Sequence, residues 1–333
     1  MRGLICPAPG ALELTDTLPE PGAPPPGWAL LQVEQVGICG TDYHIYEGKH
    51  PFLTYPRVMG HEIAATVLVP GDGVTLAAGT AVIVNPYLSC GTCLACRNGK
   101  PNCCARIEVL GVHRDGALAS HVSAPAASCH VISDAVPTAL AALAEPLACV
   151  VNGTNKAGLR PGESAVVFGG GAIGCLFAAV FAAGGASAVV VVEPNAARSP
   201  VATAVGATHV LTPDEWAAEH DAILPGGADV VVDAVGSVLP DAIDAAGMGA
   251  RVIVFGMNVN ARPAVRQVEI TEKGLTILGT YITAFTFPQA IRLLESGSLN
   301  VEPLVSAVLP LEHLEEGLAM LKSGAATKVV VTP

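Results

Sequence analysis

Ala165-Val166-Val167-Phe168-Gly169-Gly170-Gly171-Ala172-Ile173-Gly174 is the stretch that decides the fold. A short apolar run, Ala165–Phe168, meets three consecutive glycines, and a second apolar stretch covers Ile173–Ala183. The first reads as a buried parallel strand and the second as a helix, joined by a tight glycine turn. The glycines fall in the pattern G-x-G-x-x-G. Gly169 permits the turn, Gly171 lets the backbone approach a pyrophosphate, and Gly174 allows the helix to pack closely on the strand. Backbone N–H groups at the helix start, around Ala172 and Ile173, together with the positive end of the helix dipole, suit a bound phosphate.

The surroundings give this pattern its required context. The next strand, Ala188–Val192, ends at Glu193, nineteen positions after Gly174. An acidic side chain there can accept from a ribose diol and would repel a 2′-phosphate, so NAD is preferred over NADP. The nearest following arginine, Arg198, lies five positions on and joins the candidate cofactor residues. Further strands are expected at Val230–Asp233, Arg251–Phe255 and Leu275–Leu278, separated by helix-compatible segments. Strands alternating with helices imply βαβ units and an α/β domain built on a parallel sheet. From about Phe285 the texture is mixed, with helices expected over Gln289–Glu295 and Leu311–Leu321 and a strand over Lys328–Val331.

The part before about residue 145 is rich in Pro and Gly with short alternating runs such as Trp28–Val33, which suggests strands joined by turns. With 333 residues, two domains are expected. Residues 164–192 carry no charge and are long enough to span a bilayer. The glycines at 169–171 and 184–185 cut that run into strand, helix and strand lengths, so no membrane span is expected. A formal charge of −12 with no basic cluster argues against nucleic acid, whose binding needs Lys and Arg on phosphates. Met1–Pro9 does not read as a secretory leader. Ten cysteines without one suggest thiols and metal in a reducing cytoplasm, not disulfides.

Five of the ten cysteines fall in one segment: Cys90, Cys93, Cys96, Cys103 and Cys104. Cys90-x-x-Cys93-x-x-Cys96 with a fourth sulfur following can complete a closed tetrahedron around zinc, a structural site because no position remains for a reactant. On spacing, Cys103 and Cys104 compete for the last place. A second group lies earlier, in Cys39-Gly40-Thr41-Asp42-Tyr43-His44 and Gly60-His61-Glu62. A Cys and a His on different loops, with carboxylates near, are the beginnings of an open zinc site. On residue type alone Cys39 could equally be a small buried hydrophobe, and His61 a structural histidine.

These segments, with Glu145-Pro146-Leu147 and the fingerprint, stand in the order found in zinc-containing medium-chain dehydrogenases, which the chain resembles over essentially its whole length. Within that family it most resembles the polyol and sugar-acid branch, because Glu145 stands where other alcohol dehydrogenases have a cysteine ligand. The resemblance implies a GroES-like, β-rich catalytic domain over 1–147 and 285–333, and a Rossmann doubly wound parallel-sheet cofactor domain over 148–284. It implies a catalytic zinc on Cys39 and His61, with Glu62 and Glu145 as direct or water-mediated partners, and a structural zinc on Cys90, Cys93, Cys96 and Cys104. It implies hydride transfer between NAD and a secondary alcohol of a polyol, sugar or sugar acid, the proton leaving through the Thr41 hydroxyl and the cofactor ribose to His44. Asp42 is given a structural hydrogen-bonding role. A homodimer or homotetramer is expected on the same ground.

Ile282 stands where polyol dehydrogenases carry an arginine, and Ile45 where they carry an aromatic, which points away from sorbitol. Gly111-Val112-His113-Arg114-Asp115-Gly116 resembles relatives acting on sugar acids such as gulonate or galactonate. There Arg114 is either a partner for a substrate carboxylate or a surface turn arginine. The competing readings are a zinc-independent quinone reductase on the same plan, which needs no ligand clusters, and a non-catalytic NAD- and zinc-binding redox sensor, which needs neither Thr41 nor His44.

Overall fold

The computed structural model describes residues 1–333. Its contacts divide into two compact units: Met1–Pro146 with Thr283–Ser296 and Val305–Pro333, and Leu147–Ile282 with Gly297–Leu304. The second unit holds a six-stranded sheet in the order His209–Leu211, Ala188–Val192, Ser164–Phe168, Ala228–Asp233, Ala246–Val254 and Thr276–Gly279, all neighbours parallel. Counted from the fingerprint strand this is the order 3-2-1-4-5-6, the doubly wound arrangement in which ligands meet the carboxyl ends of the strands. Strand Ser164–Phe168 is buried along its whole length, which is why it is a continuous apolar run without alternation.

The uncharged run at 164–192 folds as strand Ser164–Phe168, helix Ala172–Ala183 and strand Ala188–Val192. No helix is long and apolar enough to cross a membrane. Two sequence expectations need correction. The strand expected at Arg251–Phe255 begins at Ala246, where small residues with little strand signal are drawn into the ladder by pairing with Ala228. The stretch Leu311–Leu321 divides into a single tight turn, Leu311–His313, and a helix, Leu314–Ser323. In addition, Gly297–Leu304, expected with the first domain, groups with the second, where Asn300 Nδ2 donates to the Ala204 carbonyl at 2.7 Å.

The first unit is built on a seven-stranded sheet. Its main path runs Cys129–Val131, Ala81–Val84, Glu62–Pro70, Trp28–Gly37, Lys328–Thr332 and Val305–Pro310, and His121–Pro125 also pairs with Trp28–Gly37. The central strand buries Leu31, Val33 and Val36 against Ile63, Val67 and Val84 in one apolar core. Its register sets Gly37 opposite Glu62 on one side and Val330 on the other. The C-terminal strand is thereby set on the far side of Gly37 from Glu62, one strand away.

Candidate active site

Cys39 is the residue before helix Gly40–Tyr46, and Asp42 lies inside its first turn. The Asp42 carboxylate is fully buried. Its Oδ2 accepts from the Cys39 N–H at 3.0 Å and its Oδ1 from the Gly60 N–H at 3.2 Å, while His61 Nδ1 lies 3.6 Å from Oδ1. One side chain thus ties the Cys39 loop to the His61 loop. Burial works against ionisation of Asp42, but the His61 charge and these N–H donors outweigh it and lower its pKa. Burial likewise opposes charging of His61, and Asp42 pulls its pKa well above the ordinary histidine value.

The result is a group of donors of three chemical kinds. The Cys39 sulfur, a His61 nitrogen and a Glu62 carboxylate oxygen all lie within 4.8 Å of one another. Tetrahedral ligands at about 2.0–2.3 Å from one zinc lie about 3.3–3.8 Å apart, so donors already within 4.8 Å could converge on a single ion with a small adjustment. His61 Nδ1 faces the Asp42 carboxylate at 3.6 Å without a hydrogen bond, so charge attraction holds that side of the ring. Thr41 Oγ1 accepts from the Cys39 thiol at 3.6 Å. His44 is exposed and three residues further along the same helix, the spacing at which side chains share a helix face.

Glu145 is not one of those clustered atoms. It is buried, and its Oε1 accepts from the Tyr87 hydroxyl. Glu62 is itself held, because Lys328 Nζ donates to its two oxygens at 2.7 and 2.8 Å. Neither Tyr87 nor Lys328 was among the residues singled out in the sequence. A lysine opening an otherwise apolar strand was the available signal for Lys328, since a buried lysine requires a buried partner. Arg114 is exposed and paired with Glu108 at 2.7 Å, as a surface turn arginine would be.

The second cluster brings the sulfurs of Cys90, Cys93, Cys96 and Cys104 within 4.8 Å of one another, and Cys103 is exposed outside it. All ten cysteines are free. N–H groups converge on the sulfurs: those of Cys90 and Arg106 each lie 3.3 Å from Cys104 Sγ. The Thr92 backbone N–H and then the Arg106 guanidinium pull the Cys90 thiol down to about 5. A thiolate at neutral pH is the form that binds metal.

In the second unit, Gly171 caps helix Ala172–Ala183. A Cβ on Gly174 would come within 1.7 Å of the Gly169 carbonyl oxygen, so the third glycine of the fingerprint is sterically required. Glu193 is buried. Its Oε2 accepts from the Gly170 N–H at 2.7 Å and from Arg198 Nη1 at 3.2 Å, and its Oε1 accepts from the Asn195 N–H at 2.8 Å. The residue read from sequence as a ribose acceptor anchors the glycine loop.

Comparison with known proteins agrees with this architecture. The alcohol dehydrogenase GroES-like domain family matches residues 25–134 and the zinc-binding dehydrogenase family matches residues 172–296. L-galactonate-5-dehydrogenase of Escherichia coli K12 is 34% identical over 326 residues, covering 95% of this chain and 94% of its own. Among solved structures, the alcohol dehydrogenase RspB of Escherichia coli CFT073, complexed with NADH, superposes with a TM-score of 0.92 at 29% identity, covering 100% of this chain and 99% of its own. A zinc-binding dehydrogenase of Sinorhizobium meliloti 1021, bound to NADP, gives 0.93 at 28% identity, again with 100% and 99% covered. Taken together, the paired domains and the two ligand clusters define a zinc-dependent alcohol oxidoreductase. The chain belongs to the zinc-binding alcohol dehydrogenase family.

Proposed function

We propose that this enzyme transfers a hydride between NAD and a secondary alcohol of a polyol, sugar or sugar acid, with two zinc ions per chain. The observation that carries the reading is the cluster of Cys39, His61 and Glu62 donors within 4.8 Å, with the Thr41 hydroxyl beside it. Cys39 and His61 would hold the catalytic ion, with Glu62 and Glu145 near it. Cys90, Cys93, Cys96 and Cys104 would hold the structural one. An ion held by Cys39 and His61 would supply a Lewis acid that makes the substrate hydroxyl acidic enough to lose its proton near neutral pH.

The chain's own residues then handle that proton. Thr41 Oγ1 accepts it, and His44, exposed on the same helix face, passes it to solvent, since imidazole exchanges protons near neutrality. Asp42 holds the Cys39 and His61 loops in register throughout. Gly169, Gly171, Ala172, Ile173 and Gly174 bind the dinucleotide pyrophosphate. Glu193 supports NAD as the cofactor, although Arg198 beside it leaves a cation within reach of a 2′-phosphate. The L-galactonate relative supports a polyhydroxylated substrate, and a homo-oligomer in the cytoplasm is the proposed state.

The test is a zinc count by atomic emission together with NADH formation across hexitols, pentitols, aldonates and simple secondary alcohols. Two zinc per chain and turnover on a polyhydroxylated alcohol are expected. Two zinc with no turnover on any alcohol would favour a redox-sensing role, and turnover of quinones without zinc would favour a reductase. Cys39→Ser is expected to abolish turnover while NADH binding persists; unchanged turnover would sink the catalytic-zinc assignment.

A further inference from the structure

Two loops, one of them hydrogen-bonded to the segment that leads into His61, bring three rings together. The Phe52 ring lies 6.0 Å from that of His50, edge-on at 73°, and 6.4 Å from that of His113, nearly parallel at 20°. Phe52 is 66% exposed, while both imidazoles are half-buried. The backbone fixes how the imidazoles present themselves. His50 Nδ1 accepts from the Phe52 N–H at 3.4 Å, and His113 Nδ1 accepts from the Val109 N–H at 3.1 Å. A neutral imidazole that accepts at Nδ1 carries its proton at Nε2. Each histidine therefore carries its proton at Nε2, and each ring lies next to the exposed Phe52 ring.

The turn carrying His113 is seated on the segment that presents His61. Gly116 N donates to the Val58 carbonyl at 2.7 Å and Ala117 N to the Gly60 carbonyl at 3.0 Å. A Cβ on Gly116 would come within 2.3 Å of the Gly60 oxygen, so the turn has no slack against Gly60, the neighbour of His61. His50 lies in the same neighbourhood. Burial first, and then the charges of His113, His61 and His44, lower its pKa and keep it neutral.

We propose that His50, Phe52 and His113 form the wall that recognises the hydroxyl-bearing carbon chain of the substrate. Phe52 packs against its C–H face while the two Nε2–H groups donate to hydroxyls away from the reacting carbon. Apolar surface with a few fixed polar groups is how small-molecule sites set orientation, and a site built to hydrogen-bond a hydroxyl discriminates against an analogue lacking it. The inference rests on the proposed polyhydroxylated substrate and adds which residues select it.

The experiment measures kcat/KM for the best hexitol or aldonate and for 2-butanol, in the wild type and in His113→Phe, His50→Leu and Phe52→Ala, with zinc content and NADH binding measured on each. The ratio of the two kcat/KM values is expected to fall tenfold or more in each variant, mainly through KM for the polyol, and His113→Gln, which keeps a donor, recovers part of it. Phe52→Ala alters an exposed side chain and keeps the test alive where a histidine variant does not fold. A wild type that oxidises 2-butanol as well as every polyol overturns this inference and the proposed substrate class together. A wild type that prefers polyols, with variants that keep the same preference, overturns this inference alone.

Discussion

Lys328 reaches across Gly37 to the Glu62 carboxylate, donating to its oxygens at 2.7 and 2.8 Å with both side chains buried. Its third proton goes to the Ile38 carbonyl at 3.1 Å. A Cβ on Gly37 would stand 2.0 Å from Glu62 Oε2, so the central strand carries glycine where the pair crosses it. Sheet register, a glycine and a C-terminal lysine together fix the carboxylate next to His61.

Removing one partner of a buried ion pair leaves an uncompensated charge and costs about 3–5 kcal/mol. Lys328→Met is expected to lose that much in chemical denaturation, and Lys328→Met with Glu62→Gln to recover part of it. Burial on its own would lower the Lys328 pKa, but the Glu62 carboxylate, followed by the Cys39 sulfur, outweighs burial and raises it. A raised lysine pKa stabilises fully below the ordinary lysine value and is lost as pH rises through the folded value above it. The stability curves of wild type and Lys328→Met should therefore converge only in strongly alkaline solution. Equal stability of the two at pH 7 would contradict the pair's role.

The four-cysteine loop has little apolar core of its own: its helix, Leu94–Arg97, has only four residues and no buried ones. A closed thiolate site there contributes folding free energy. Cys93→Ser should retain one zinc instead of two and unfold at lower temperature, and chelation should bring the wild type toward the same melting curve. An unchanged melting temperature after loss of that zinc would remove the structural assignment.

Glu193 both anchors the Gly170 N–H and neutralises Arg198. Glu193→Ala frees the guanidinium and removes the charge that repels a 2′-phosphate. The ratio of kcat/KM for NADP over NAD should rise tenfold or more, with a weaker NAD affinity from the loosened loop. Glu193→Ala combined with Arg198→Ala should lose the gain. A cofactor ratio unmoved in both variants would separate this pair from cofactor choice.

Thr41→Val replaces the hydroxyl with a methyl of similar shape next to Cys39. Proton-transfer groups contribute about 10²–10⁴-fold in rate, so kcat should fall within that range while NADH binding and zinc content hold. Thr41→Ser should restore most of it. A valine variant with wild-type kcat would show that the proton leaves by another route.

The parallel sheet and its fingerprint were legible because buried strands and glycine turns are local signals: Ala188–Val192 lies where its apolar run places it. The Cys90–Cys104 cluster was legible for the same reason, all its donors falling on one loop. What sequence did not disclose depends on pairing between distant segments. Lys328 meets Glu62 across 266 positions, and Tyr87 meets Glu145 across 58. Nothing near either residue names its partner. Glu193 shows a subtler gap, since its place after a strand gives no sign that it holds the Gly170 N–H.

Ile282, which stands where an arginine was expected in polyol dehydrogenases, has a backbone φ of 40°. A β-branched side chain in the left-handed region is strained, and such strain costs on the order of 1–3 kcal/mol where the surroundings enforce it. The enforcing contact is visible: Asn152 Nδ2 donates to the Ile282 carbonyl at 2.7 Å from within helix Ala144–Ala157. Ile282→Gly or Ile282→Asn should relieve the strain and raise the melting temperature by a few degrees for each kcal/mol gained. Asn152→Ala should lower it in wild type, and by less in the Ile282→Gly background, because the glycine needs no clamp to hold that conformation. Equal losses in both backgrounds would show that Asn152 stabilises the fold by some means other than restraining residue 282.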